Sequence, residues 1–111
     1  MEQKMEILQG TLDLMVLQTL GSIGPQHGYG IAARIEQVSA GSLQLNMGTL
    51  YPALTRLEQR GLIRARWGAT EKNRRARFYE LTATGRKQLE KEKAGWQRMA
   101  EIISLLLKEQ G

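Results

Sequence analysis

A chain of 111 residues without cysteine carries sixteen Lys and Arg against eleven Asp and Glu, a formal net charge of +5. That length gives one domain or a domain with an appendage, too small for a large enzyme pocket within one subunit, and the missing thiols exclude a disulfide framework, a thiolate metal site and a cysteine nucleophile. No apolar run nears the roughly 20 residues of a membrane span, and the N-terminus MEQKMEILQG lacks the apolar stretch of a secretory signal, so the chain reads as cytoplasmic.

Leu12, Met15, Val16 and Leu20 recur at helical spacing, and Leu8, Leu14 and Leu17 widen the stripe. A helix apolar around so much of its girth is sandwiched between partners. Gly21, Gly24 and Pro25 are expected to stop it. A second helix starts near His27-Gly28-Tyr29, with Ile31, Ile35 and Val38 on one face, and ends at Ser39, Gly41 and Ser42. His27 reads as a cap or a packed ring. Leu43 and Leu45 alternate with polar residues, the pattern of a very short strand.

The third helix is predicted from about Gly48 to Arg60. Leu50, Ala53, Leu54 and Leu57 form its buried side. Pro52 lacks the N–H that an interior position donates, so it belongs in the first turn. Gly48 or Thr49 is then the expected cap, with Asn46 as competitor, and Gly61 the stop. Ile63, Ala65 and Trp67 next alternate with Arg64 and Arg66. After a polar stretch, Arg77, Tyr79 and Leu81 alternate with Ala76, Phe78 and Glu80. This is a β-hairpin whose face carrying Ile63, Trp67, Tyr79 and Leu81 should lie on the helices. A last helix starts at the N-cap Thr82 and reaches about Lys108. Leu89, Trp96, Ala100, Ile103 and Leu107 form its stripe, Met99 and Leu106 widen it, and Ile102 and Leu105 make its final turns apolar nearly all round. A helix leaving so small a body cannot bury that surface alone; a second subunit is the simplest cover, and folding back on its own domain is the alternative. The expected organisation is a DNA-binding unit over 1–81 and a dimerisation helix over 82–111.

The positive charge is local. Arg64, Arg66, Lys72, Arg74, Arg75, Arg77, Arg86 and Lys87 fall in one stretch opposed only by Glu71 and Glu80, a net +6, while the rest of the chain carries −1. Positive charge gathered on one element is the footprint of a polyanion site. The element order is that of a mainly α winged helix-turn-helix with a small β-hairpin and a long C-terminal helix. On the third helix Tyr51, Pro52, Thr55, Arg56 and Gln59 point away from the buried side, and Gly48 and Thr49 stand at its start. Arg56 suits a phosphate or guanine, Gln59 an adenine edge, and Thr55 and Pro52 a thymine methyl. Lys72, Asn73, Arg74, Arg75 and Arg77 on the hairpin suit phosphates, and Tyr29 can either reach one from the second helix or pack in the core. The partner expected is double-stranded DNA. His27, the sole histidine, has no second ligand with which to share a metal, and neither cofactor nor acid–base pair is indicated.

Gly10-Thr11-Leu12-Asp13-Leu14, Gly24-Pro25-Gln26-His27-Gly28-Tyr29-Gly30-Ile31, Gly48-Thr49-Leu50-Tyr51-Pro52-Ala53-Leu54, Arg56-Leu57-Glu58, Gly61-Leu62-Ile63, Trp67-Gly68, Arg74-Arg75-Ala76-Arg77-Phe78-Tyr79 and Leu81-Thr82-Ala83-Thr84-Gly85-Arg86 together resemble the PadR family of bacterial transcriptional regulators. The resemblance covers nearly the whole chain, and the length matches the short subfamily with a single C-terminal helix. It implies a homodimeric repressor on a pseudo-palindromic operator, in many short members one that controls transporter or efflux genes. The interface would involve Leu8, Leu12, Met15, Trp96, Met99, Ile102, Ile103 and Leu106. In some drug-sensing relatives a tryptophan matching Trp96 stacks on planar compounds at the dimer interface, which implies a planar small-molecule effector. The simpler reading packs Trp96 on the partner's first helix. A protein-interaction module, or a ligand-binding dimer that reads no bases, remains the alternative.

Overall fold

The structure, a computed structural model, describes residues 9–109. Its elements run α1 (Gln9–Ile23), β1 (Gln26–His27), α2 (Gly28–Val38), α3 (Met47–Gln59), β2 (Ile63–Ala69), β3 (Arg75–Leu81) and α4 (Ala83–Glu109). The three strands form an antiparallel sheet in the order β1-β3-β2. Val16, Leu17 and Leu20 of α1 meet Ile31 and Ile35 of α2, Leu50, Leu54 and Leu57 of α3, and Ile63, Tyr79 and Leu81 of the sheet in one core. Burying each such side chain contributes roughly 1.5–3 kcal/mol. Among the described residues no helix is long and apolar enough to cross a membrane.

Helix ends follow local hydrogen-bond chemistry. His27 caps α2, its Nδ1 accepting the Gly30 N–H at 3.1 Å. Its ring also meets Phe78 of β3 edge-on, with centroids 5.4 Å apart, so both expected roles are filled. Asn46, the competitor, caps α3, its Oδ1 accepting the Thr49 N–H at 2.8 Å. The helix therefore begins earlier than expected and Pro52 lies inside it. The missing N–H leaves the carbonyl of Gly48 unserved by the helix, and Gly48 is exposed, so water can serve it. At the other end Gly61 has φ +72°, while the N–H groups of Leu62 and Gly61 donate to the carbonyls of Leu57 and Glu58. That left-handed stop turns the chain straight into β2.

Gly21 does not end α1. It lies within the helix and gives room to Leu89, whose Cδ2 would stand 2.9 Å from an added Cβ; the chain turns at Gly24, with φ +82°. Leu43 and Leu45 form no strand. Leu43 is buried, with its N–H on Ser39 Oγ, and the third strand of the sheet is Gln26–His27 instead. The hairpin register pairs Ile63 with Leu81, Ala65 with Tyr79 and Trp67 with Arg77. Ile63, Tyr79 and Leu81 are buried as expected, but Trp67 is 59% exposed because the helical layer ends before it. Thr82 Oγ1 accepts the Gly85 N–H at 3.0 Å and donates to the Gly61 carbonyl at 2.7 Å, which fixes the start of α4 to the α3–β2 turn. Leu89 of α4 belongs to the core.

Candidate nucleic-acid interface

The wall of α3 opposite Leu50, Ala53, Leu54 and Leu57 carries Gly48, Thr49, Tyr51, Pro52, Thr55 and Gln59, all exposed. It is a polar, near-neutral strip of the size that enters a major groove. Arg56 does not join it. Its Nη2 donates to Asp13 Oδ1 of α1 at 2.9 Å, and Arg60 Nη1 lies 4.0 Å from Asp13 Oδ2. At 100° per residue Arg56 falls about 60° from buried Ala53 and about 60° from exposed Gln59. A buried carboxylate within reach settles the direction, since leaving Asp13 without a cation would cost several kcal/mol.

The hairpin stands beside this wall as a wing. Its loop is closed by Thr70: the Thr70 N–H donates to the Arg74 carbonyl, the Asn73 N–H to the Thr70 carbonyl, and the Arg74 N–H to Thr70 Oγ1. Asn73 has φ +59°, a conformation asparagine tolerates better than most residues, so its first role is to make the turn. The charges divide. On the outer face Arg64 donates to Glu80 at 2.8 Å and Arg66 lies 3.8 Å from it. The Arg64 hydrogen bond holds the Glu80 carboxyl below the usual carboxylate range. On the inner face Arg77 bonds Glu58 at 2.9 Å and lies over the Tyr79 ring. Burial raises the Tyr79 phenol above its ordinary value, with Arg77 pulling the other way. Among the described residues, Lys72, Arg74 and Arg75 have no carboxylate within 4.0 Å. Of the hairpin's basic residues, these three near its tip are the ones left without an ion-pair partner among the described residues.

Between wing and helices lies a cleft of about 410 Å³ lined by Tyr29, Tyr51, Trp67, Arg74, Arg75 and Arg77, with Gly28 at its floor. Tyr29 and Tyr51 are both exposed, and the Tyr51 hydroxyl lies 3.3 Å from where a Cβ on Gly28 would stand. The structure thus brings Tyr29, the α3 wall and the wing arginines onto one face.

On α4, Trp96, Met99, Ile102, Ile103, Leu105, Leu106 and Leu107 are all exposed in the single chain. Leu12, expected at the subunit interface, is 3% exposed and belongs to the core of its own chain. Leu12 lies on the side of α1 that faces the core, whereas Thr11, Leu14 and Met15 lie on the other side, along an open groove. Met15 is half-buried, and Leu8 lies outside the described residues. Trp96 borders an open groove of about 600 Å³ with Leu14 and Met15 of its own α1 and Ile35, Val38 and Leu43.

The profile of the transcriptional regulator PadR-like family matches residues 16–91. The chain belongs to this family. Its fold is similar to that of a transcriptional regulator from Clostridium thermocellum, with a TM-score of 0.77 and 28% identity over 86% of this chain and 92% of that one. A Lysinibacillus sphaericus protein described as "Uncharacterized protein X" is 28% identical over 102 residues, covering 92% of this chain and 93% of that protein. A 37.1 kDa protein in transposon TN4556 of Streptomyces fradiae is 42% identical over 87 residues, 78% of this chain but only 23% of that protein. PadR-like regulators act by binding DNA and not by catalysis, and the winged-helix fold with its long C-terminal helix fits that assignment.

Two features of this PadR-like chain carried little sequence signal. Asp13 ties α1 to α3; its only mark is an acid set within an apolar stripe. Trp67 and Arg75 stack, with the guanidinium carbon 4.6 Å from the ring centroid. Their pairing follows from hairpin register, which the polar loop did not fix.

Proposed function

We propose that this PadR-like regulator is a cytoplasmic homodimeric repressor that reads a pseudo-palindromic operator, with transporter or efflux genes as the class it controls. Each subunit places α3 in one half-site, and the half-site centres lie about one helical turn apart, near 34 Å. Thr55, Gln59 and Pro52 read base edges, Gly48, Thr49, Tyr29 and Tyr51 approach the backbone, and Lys72, Asn73, Arg74 and Arg75 hold phosphates from the wing. Arg56 and Arg77 serve this face through their ion pairs with Asp13 and Glu58. The observation that carries the reading is a wing whose tip cations lack carboxylate partners among the described residues, beside an exposed polar helix wall. The dimer reading rests on the apolar surface of α4 from Trp96 to Leu107, on a helix of 27 residues and about 40 Å. Such a patch, contributed by two identical helices, makes a self-complementary interface. The groove at Trp96 supports a planar, apolar effector that shifts DNA affinity from the dimer interface.

Mutants separate the roles. Arg74→Ala with Arg75→Ala should weaken binding to every duplex alike and lower the slope of log affinity against log salt by about two. Gln59→Ala should instead relax preference at particular base pairs, by roughly 1–3 kcal/mol of discrimination. Titration of operator and scrambled duplexes at several salt concentrations checks both. Equal loss on all sequences from both variants contradicts this division.

A further inference from the structure

We propose that Trp67 is a positioning residue for DNA binding: its indole holds the Arg75 guanidinium at the mouth of the cleft between wing and helices, ready for a backbone phosphate. This rests on the reading of that face as the DNA interface.

Ile63, Ala65 and Trp67 share the inner face of β2. Ile63 is buried, Ala65 half-buried, and Trp67 more than half exposed. Nothing in the core accounts for a tryptophan at this position. Its neighbours are arginines. Arg77 stands directly across in the register and Arg75 diagonally, near enough for long side chains to meet on a sheet face. The two are used differently. Arg77 is neutralised by Glu58. Arg75 lies over the Trp67 ring at 4.6 Å and has no carboxylate within 4.0 Å among the described residues. A ring face attracts the cation without consuming its N–H donors, so the fork stays free for a phosphate. Holding the side chain in place beforehand reduces the freedom lost when DNA binds. Tyr29 and Tyr51 line the same cleft, and their hydroxyls can donate to the same phosphate oxygens.

The test is equilibrium binding of the full-length protein to the duplex it selects from a random pool, over a range of salt. Trp67→Leu should weaken binding about tenfold and lower the salt slope by about one, matching Arg75→Ala. The double variant should be no weaker than Arg75→Ala alone, and Trp67→Phe should retain most of the affinity. Trp67→Gln at this exposed position makes the same comparison if the leucine variant does not fold. Folded Trp67 variants with the wild-type affinity and slope overturn the proposal, as do losses that add in the double variant. Lys72→Ala with Arg74→Ala and Arg75→Ala tells the two readings apart. If that triple variant also binds as wild type, the DNA face itself is wrong; if it fails while the Trp67 variants do not, only the role of Trp67 falls.

Discussion

Gly85→Ala should cost about 3 kcal/mol or more and lower Tm by about 12 °C or more. A Cβ on Gly85 would stand 1.9 Å from the Leu62 carbonyl oxygen, a backbone atom that already accepts the Thr82 N–H. Relief requires α4 to lift from the α3–β2 turn, which would break the Thr82 hydrogen bonds to the Gly61 and Leu62 carbonyls and pull Leu89 from the core. For a domain of this size, such a loss is a large part of total stability. Gly95→Ala is the control. It lies on the same helix with open space around it, so alanine should be neutral or stabilise by up to about 1 kcal/mol. Thermal or denaturant unfolding of the pair reads the difference. Equal stability in the two variants would contradict the close contact at Gly85.

Asp13→Ala is the second large effect, roughly 2–3 kcal/mol. Removing one member of a buried ion pair typically costs about 3–5 kcal/mol. The Arg56 side chain is 31% exposed, so water recovers part of that. Asp13 itself is 7% exposed and holds both Arg56 and Arg60. Its loss strands Arg56, whose Nε is already buried without a partner. Asp13→Ala combined with Arg56→Met should lose less stability than Asp13→Ala alone, because the stranded charge goes too. Denaturant midpoints decide it; a double variant as weak as the sum of the singles would mean the two residues do not interact. The pair also fixes α3, the helix proposed to read DNA, on α1.

Where periodicity and capping chemistry act locally, the sequence was a good guide. Ile31 and Ile35, Leu50, Leu54 and Leu57, and Ile63, Tyr79 and Leu81 are buried as their spacing requires, and Thr82 caps α4, but Val38, the third member of the α2 stripe, lies past the core and is exposed at the groove beside Trp96. The departures come where distant parts of the chain decide. Gln26–His27 is too short to show a pattern and becomes a strand only by pairing with β3. Leu43 and Leu45 alternate like a strand but find no strand to pair with. Asn46 wins the α3 cap because its side chain reaches the Thr49 N–H directly, a local contest in which the weight given to Pro52 misled. Arg56 sits on the flank of α3, and only the position of Asp13, 43 residues away, decides which way it turns. Trp67 has the right parity for the core but lies past the edge of the helices. Leu12 fits an interface stripe equally well as a core stripe, and it faces the core of its own subunit. At the site, residue types were legible, whereas the split of the arginines into neutralised and free was not, because it depends on hairpin register.

The central claim is that two α3 helices, held at fixed separation by paired α4 helices, read DNA while wing cations neutralise its backbone. Selection of bound duplexes from a random pool by the full-length protein, repeated at low and high salt, tests it most directly. The account predicts one enriched inverted repeat, with half-site centres about 10 base pairs or a multiple apart and enrichment that falls steeply as salt rises. A pool without an enriched repeat, or recovery indifferent to salt, would contradict it.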